Sequence, residues 1–148
     1  MERLTRTGCT ETLLDVGCGL GLAVRLLAAA GVGPHRLFRT DLQPRFLELG
    51  LDLFRDRDRG ITFVAGDMLK AEDVQLKEAL KDRIEVVHAS AFFHLFEREG
   101  QLAVAKRLVR FSRQANPEVM IIGRKRRHQD RWMGQVRLGG RCVEGLVG

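Results

Sequence analysis

The chain has 148 residues and a formal net charge of +6, with 45% hydrophobic and 30% charged residues. This length and composition are those of a single globular domain and exclude a chain that is disordered throughout. No apolar stretch approaches the roughly 20 residues of a membrane span, and residues 1–12 contain no apolar run typical of a signal peptide.

The positive charge is concentrated near the C-terminal end. Residues 124–148 hold seven basic and two acidic residues, whereas the rest of the chain holds 18 basic and 17 acidic ones. Because the body of the chain is nearly neutral, nucleic acid binding by it has little support. We predict one domain over residues 1–123 and a basic, irregular tail over residues 124–148.

The predicted elements alternate between apolar runs and amphipathic stretches. We predict strands at residues 13–16, 36–40, 61–64, 84–88 and 119–122. We predict helices at residues 20–30, 45–54, 73–81 and 99–114. Strands that alternate with helices indicate an α/β fold with a doubly wound, Rossmann-like and mostly parallel sheet, in the strand order 3-2-1-4-5. Such a sheet has its crevice at the carboxyl ends of the strands.

A glycine-rich loop joins the first predicted strand to the first predicted helix. Its pattern DxGxGxG runs from Asp15 through Gly17 and Gly19 to Gly21. It lacks the GxGxxG spacing of dinucleotide-binding loops and the GK[ST] ending of a P-loop. The pattern favours S-adenosylmethionine (SAM), whose carboxylate suits a helix N-terminus and whose cationic groups suit Asp15. Another nucleotide-like ligand, or a tight turn without a ligand, remains an alternative.

Two acidic residues follow the next two predicted strands. Asp41 can accept hydrogen bonds from both ribose hydroxyls, or it can cap the following helix. Asp67 can accept from the adenine amino group, with Met68 as an apolar contact to the ring, or it can be a turn aspartate.

Two histidines are candidate catalytic bases. His88 ends the fourth predicted strand and His94 follows it among phenylalanines. Either has the chemistry of a general base, although a histidine among aromatic residues is more often a packed one. Those aromatic residues are interpreted as core or as a pocket wall. The three widely spaced cysteines and four histidines give no metal-ligand pattern. The odd number and wide spacing of the cysteines, without a signal peptide, indicate reduced thiols in the cytoplasm.

Several stretches resemble a known family. Residues 13–19 resemble motif I of class I SAM-dependent methyltransferases, and residues 41–46, 53–58, 88–96, 104–109 and 121–124 resemble fungal methyltransferases of meroterpenoid and polyketide biosynthesis. The resemblance implies methyl transfer from SAM to a carboxyl or hydroxyl group. It also implies that Ala89 lies beside the cofactor and that six residues hold SAM: Gly17, Gly19, Asp41, Leu42, Asp67 and Met68.

The chain departs from that family at both ends. Only 11 residues precede Thr12, where the family has a helical segment, and residues 124–148 do not resemble the family's C-terminal antiparallel strand pair. We therefore expect residues 119–122 to form an uncovered edge strand through which copies of the chain can associate.

The expected partner is a small-molecule acceptor, with neither nucleic acid nor a membrane. Two alternatives remain beside the small-molecule enzyme. One is an inactive SAM-binding remnant, and a more distant one is a nucleic acid methyltransferase that uses the basic tail.

Overall fold

The computed structural model describes residues 2–57, 59–70, 72–113, 118–124 and 131–137. The described helices are α1 (Glu2–Thr5), α2 (Leu22–Ala29), α3 (Pro44–Phe54), α4 (Val74–Leu80) and α5 (Arg98–Phe111). The described strands are β1 (Leu13–Val16), β2 (Leu37–Asp41), β3 (Thr62–Ala65), β4 (Val86–His88), β5 (Glu118–Arg124) and β6 (Arg131–Arg137). Each predicted helix and strand is present, with its ends displaced by no more than three residues.

The described strands form one sheet in the order β3-β2-β1-β4-β5-β6. β1 lies at its centre, where Leu13 is in register with Leu37 of β2 on one side and Val86 of β4 on the other. All pairings from β3 to β5 are parallel. The predicted fold class and the order 3-2-1-4-5 are therefore confirmed.

The predicted absence of an antiparallel strand after β5 is wrong. Strand β6 pairs antiparallel with β5 over seven residues, from Glu118 opposite Arg137 to Arg124 opposite Arg131. The sequence of β6 has no period of two that would reveal a strand, and its conformation follows from the backbone hydrogen bonds that β5 offers. The tail is thus not irregular over Arg131–Arg137, while residues 125–130 and 138–148 lie outside the described residues.

The position of β6 also corrects the expectation of an uncovered edge at residues 119–122. These residues lie between β4 and β6, and Val119 and Ile121 are completely buried. Because both sides of β5 are paired, this strand is not the edge through which copies of the chain would associate.

Alternate residues of the central strands build a core on each face of the sheet. Leu14 and Val16 of β1 point to the face covered by α4 and α5, where their cluster includes Leu76 and Leu108. Leu13 points to the opposite face. The buried residues packed around it there come from α1, α2, the loop after α2 and the neighbouring strands: Leu4, Val24, Leu27, Val32, Leu37 and Val86. The sheet is therefore covered on both faces, as near-continuous apolar strands predict.

Candidate functional site

A cleft of about 160 Å³ opens at the carboxyl ends of β1, β2 and β3. Five of the residues that the sequence assigned to the cofactor line this cleft: Gly17, Asp41, Leu42, Asp67 and Met68. The lining also contains residues that sequence analysis had not assigned to the cofactor: Thr40, Gly66, Leu69, Phe92 and Phe96. The structure thus brings three separate chain segments of the prediction together at the predicted edge of the sheet.

The glycine loop turns sharply between β1 and α2. Gly17, Gly19 and Gly21 all have positive φ angles, a conformation that glycine adopts without steric cost. A Cβ atom placed on Gly17 would lie 2.5 Å from Cδ2 of Phe92. Glycine at this position therefore lets an aromatic ring pack directly against the loop. Because α2 begins at Leu22, the free N–H groups of its first turn follow the loop immediately.

Asp41 joins the end of β2 to the glycine loop. Its Oδ2 accepts a hydrogen bond from the backbone N–H of Gly19 at 2.8 Å, and its Oδ1 accepts from the N–H of Gln43 at 3.0 Å. A carboxylate offers about four acceptor positions, so two remain for further donors. The alternative role of Asp41 as a helix cap is not what the structure shows, since Gln43 is the N-cap of α3 and has no side-chain cap bond. The contacts of Asp41 with the loop leave acceptor positions for a ribose diol.

Asp67 and Met68 form the neighbouring part of the lining at the end of β3. The Oδ1 of Asp67 accepts from the N–H of Leu69 at 2.8 Å, which makes it a turn aspartate. Its backbone is held on both sides, since its N–H donates to Asp73 and its carbonyl accepts from Arg107. Met68 is 5% exposed and packs into the core while lining the cleft. This arrangement gives the cleft one carboxylate edge and one apolar surface.

The aromatic residues after β4 form a wall of the same cleft. Phe92 and Phe96 both line it, and their rings meet edge to face with centroids 5.1 Å apart and an interplanar angle of 72°. Phe92 also belongs to the buried core, where it meets Phe93. The two interpretations of these residues, core and pocket wall, thus hold together.

Arg25 holds the glycine loop without being part of the cleft lining. Its Nη2 donates to Oδ1 of Asp56 at 2.8 Å, and its Nη1 donates to the carbonyl of Gly21 at 3.0 Å and to that of Leu20. The hydrogen bond from Arg25 holds the pKa of Asp56 below its ordinary value, against the opposing effect of burial. This ion pair is almost fully buried, so it fixes the outer carbonyls of the loop.

Arg39 also reaches one of these carbonyls, that of Leu20. It is 1% exposed, and its Nη1 is 3.4 Å from the carbonyl oxygen of Leu20. Its guanidinium lies over the ring of Phe63, 5.4 Å from the centroid. Burial, together with the nearby charge of Arg25, lowers the pKa of Arg39 below its ordinary value. Sequence analysis did not identify this residue, because an arginine in a strand normally predicts an exposed position.

Asp15 and His88 form a partly buried pair beside the loop. They are in direct register on β1 and β4, and His88 Nδ1 lies 2.7 Å from Asp15 Oδ1. Asp15 is buried, while the His88 side chain is 30% exposed. The sequence had assigned Asp15 to the cationic groups of the cofactor. In the structure the Oδ1 of Asp15 is engaged with His88, and neither residue is part of the cleft lining.

The remaining predicted residues lie near the cleft without lining it. Gly19 is tied to Asp41 as described, and Ala89 is buried, with its N–H donating to the carbonyl of Ile122 at 2.8 Å. His94 is exposed in the 3-10 turn Phe93–Leu95. The structure therefore brings His88 to a carboxylate partner and leaves His94 on the surface.

The thiol of Cys18 reports the electrostatic character of the loop. Burial raises its pKa to about 12, and the negative charges of Asp15 and Asp41 act in the same direction. Burial disfavours charge of either sign, but the negative field of the two carboxylates favours a cation, and the methionine end of SAM carries a sulfonium and an ammonium group. The carboxylates, the apolar wall and the open glycine loop therefore fit SAM chemically.

Other kinds of site find no support in the described part of the chain. It contains no group of three or more His, Cys, Asp or Glu side chains that would hold a metal ion. It also contains no helix with the length and apolar character needed to cross a membrane.

Comparison with protein families and curated relatives identifies the same chemistry. A family model described as a methyltransferase domain matches residues 13–115. The O-methyltransferase phiE of Fungal sp. (strain ATCC 74256) is 36% identical over 139 residues, which are 93% of this chain and 43% of that protein. The Asnovolin E/Chermesin D methyltransferase nvfJ of Aspergillus novofumigatus is 32% identical over 93% of this chain and 49% of its own length. The chain thus spans less than half the length of these relatives.

Solved structures share the fold. A protein from a study of disulfide-to-thioacetal conversion in echinomycin biosynthesis aligns with a TM-score of 0.62 and 25% identity, over 78% of this chain and 43% of that one. PKMT2 from Rickettsia typhi, solved in complex with AdoHcy, aligns with a TM-score of 0.57 and 22% identity over 77% of this chain and 20% of that one. The second likeness concerns the fold alone.

Proposed function

Since the chain belongs to the methyltransferase domain family, whose enzymes depend on SAM, we propose that it binds SAM in the cleft and forms the cofactor-binding part of a small-molecule methyltransferase. The acceptor is a carboxyl or hydroxyl group of a terpenoid or polyketide in secondary metabolism. The observation that carries this proposal is the convergence of Asp41, the glycine loop and Asp67–Met68 on one cleft.

Each segment of the lining has a defined role in this proposal. Asp41 accepts from the ribose hydroxyls, while Asp67 and Met68 meet the adenine. Gly17 and Gly19 let the backbone approach the methionine part, and Ala89 lies beside the cofactor. SAM supplies a methyl group that is electrophilic because it is bound to a sulfonium. The chain itself supplies orientation and an apolar wall that excludes water.

The relatives support the class of acceptor. One carries the name of an O-methyltransferase and another is named for asnovolin E and chermesin D, and both are fungal enzymes. Their similarity covers nearly all of this chain but less than half of their own length.

A hydroxyl acceptor needs a base, whereas a carboxylate acceptor does not. His88 is better suited to this role than His94, because Asp15 fixes its ring. With the proton on Nδ1 directed at Asp15, the Nε2 atom is the one that can accept a proton. Asp15 is then a positioning residue that acts through His88, and His94 has no part in the reaction.

Binding of SAM tests the cofactor site directly. In isothermal titration calorimetry the wild-type chain is expected to bind SAM, and Asp41→Ala is expected to bind it roughly 10- to 100-fold more weakly, because bonds to a charged acceptor are lost. Asp41→Asn keeps an acceptor oxygen and should fall between the two. Thermal melting of each variant separates a lost contact from a lost fold. A folded wild-type chain that does not bind SAM contradicts the proposal.

Turnover of paired acceptors tests the base. With a terpenoid alcohol, His88→Ala is expected to reduce formation of S-adenosylhomocysteine by about 10²- to 10⁴-fold. With the corresponding terpenoid acid the same variant should retain its rate, because a carboxylate is already ionised. The affinity of His88→Ala for SAM should equal that of the wild type. His94→Ala is the matched control, and an equal loss in that variant would remove His88 from this role.

A further inference from the structure

The hydroxyl of Thr40 is a buried polar group in the cleft without a partner among the described residues. The residue is 1% exposed and lines the cleft directly before Asp41. Its backbone carbonyl accepts a hydrogen bond from the N–H of Cys18 at 3.1 Å. Its Oγ1, in contrast, has no hydrogen-bond partner among the residues that the structure describes.

The side chain of Thr40 lies on the face of the sheet that forms the floor of the cleft. Side chains alternate along a strand, so Thr40 shares its face with Phe38, two residues earlier. Phe38 belongs to the same buried cluster as Met68 and Phe92, and these two residues also line the cleft. In register with Thr40 are Val16 on β1 and Val64 on β3. The hydroxyl therefore stands alone in an apolar floor.

An isolated hydroxyl at such a position destabilises the free protein. A buried hydroxyl without a partner loses its hydrogen bonds to water and gains none in exchange. Valine has nearly the same shape and would fill this position without that cost. Threonine is therefore explained only if a partner arrives from outside the described fold, and the cleft is where this partner can enter.

We propose that the Thr40 hydroxyl forms a hydrogen bond to the nucleoside part of the cofactor at the floor of the cleft. This inference rests on the proposed function. The nucleoside is the relevant part because Thr40 adjoins Asp41, which is assigned to the ribose, and shares the cleft with Met68, which is assigned to the adenine. A nucleoside carries both donors and acceptors, and a threonine hydroxyl can serve either. Thr40 is thus a residue that determines cofactor affinity.

The test compares Thr40→Val with Thr40→Ser in two measurements. Isothermal titration calorimetry with S-adenosylhomocysteine and, separately, with adenosine gives the affinity, and thermal melting without ligand gives the stability. For Thr40→Val we expect about tenfold weaker binding of both ligands, together with an unchanged or raised melting temperature. Thr40→Ser keeps the hydroxyl and should bind both ligands nearly as the wild type does.

Each other outcome overturns the inference. If Thr40→Val binds both ligands as tightly as the wild type, the hydroxyl makes no contact with them. If only S-adenosylhomocysteine binding weakens, the contact is with the amino acid part and not with the nucleoside. If the unliganded variant melts at a lower temperature, the hydroxyl has a partner within the fold. A wild-type chain that binds neither ligand overturns the proposed function and this inference together, whereas retained binding in Thr40→Val overturns this inference alone.

Discussion

At the scale of single residues, the glycine loop is held by charged side chains that never meet the cleft. Arg25 connects the carbonyls of Leu20 and Gly21 to Asp56, and Arg39 donates to the carbonyl of Leu20. Gly17 of the same loop lines the cleft, whereas neither arginine does. The cofactor site therefore depends on an ion pair that lies outside its own lining.

The Asp56 carboxylate makes the stability of the protein sensitive to acid. Because its folded-state pKa is below the ordinary value of 3.8, its contribution is present above about pH 4 and is lost as the pH falls through the lower folded-state pKa. We expect Asp56→Asn to lower the free energy of unfolding by about 1–3 kcal/mol at pH 7. Urea unfolding from pH 7 down to pH 2 should show the variant and the wild type converging in acid.

An exposed ion pair on the same segment provides the control. Asp52 and Arg57 form an ion pair whose side chains are 64% and 56% exposed. Solvent screens such a pair, so Asp52→Asn should change the free energy of unfolding by less than about 1 kcal/mol at any pH. Equal losses in Asp52→Asn and Asp56→Asn would show that burial of the Arg25 ion pair has no special effect.

Sequence analysis identified those residues whose position depends on a single strand rather than on the pairing of two strands. Asp41, Asp67 and Met68 were found because each follows a recognisable strand, and the ends of parallel strands meet at one edge. The Asp15–His88 pair was not predicted, because it depends on the register of two strands whose residues are 73 positions apart. Thr40 was not predicted either, since only the fold reveals that its hydroxyl lacks a partner.

At the scale of elements, α3 meets the glycine loop at a single small residue. Gly50 is buried in the middle of α3, and a Cβ atom placed there would lie 2.4 Å from the backbone oxygen of Leu20. The helix can lie this close to the loop only because position 50 has no side chain. Glycine in a helix ordinarily destabilises it, so its presence here reflects the contact between the two elements.

We expect Gly50→Ala to destabilise the protein although alanine is the better helix former. The gain in helix propensity is about 1 kcal/mol, while overpacking against backbone typically costs about 1–3 kcal/mol. A net loss should appear as a lower midpoint of urea unfolding, with weaker SAM binding because the loop is displaced. The exposed residue Glu48 of the same helix provides the control, since Glu48→Ala should leave both quantities nearly unchanged. A more stable Gly50→Ala variant would contradict this account.

The elements that carry their own apolar pattern were predicted, and β6 was not. Strands β1 to β5 are short apolar runs bounded by turn residues, so each can be predicted from its own residues. Strand β6 has arginines, a glycine and isolated apolar residues, and it forms opposite β5 along seven residue pairs. Its strand conformation thus depends on pairing with β5 and cannot be predicted from residues 131–137 alone.

At the scale of the whole molecule, β6 changes which strands bound the sheet. The first predicted edge, β5, is internal, and the described sheet ends at β3 on one side and at β6 on the other. The cleft lies over β1, β2 and β3. The added strand therefore lies at the opposite end of the sheet from the strands that carry the cleft.

The central position of β1 also sets the order in which the protein can be assembled as it is made. β1 and β2 are close in the chain, but β1 and β4 pair across 73 residues. At 5–20 residues per second, a ribosome takes roughly 4–15 seconds to add that many residues. During this interval one side of β1 has no partner strand, and its apolar residues are open to chaperones or to other nascent chains. The side of β1 that pairs with β4 is therefore protected later than the side that pairs with β2.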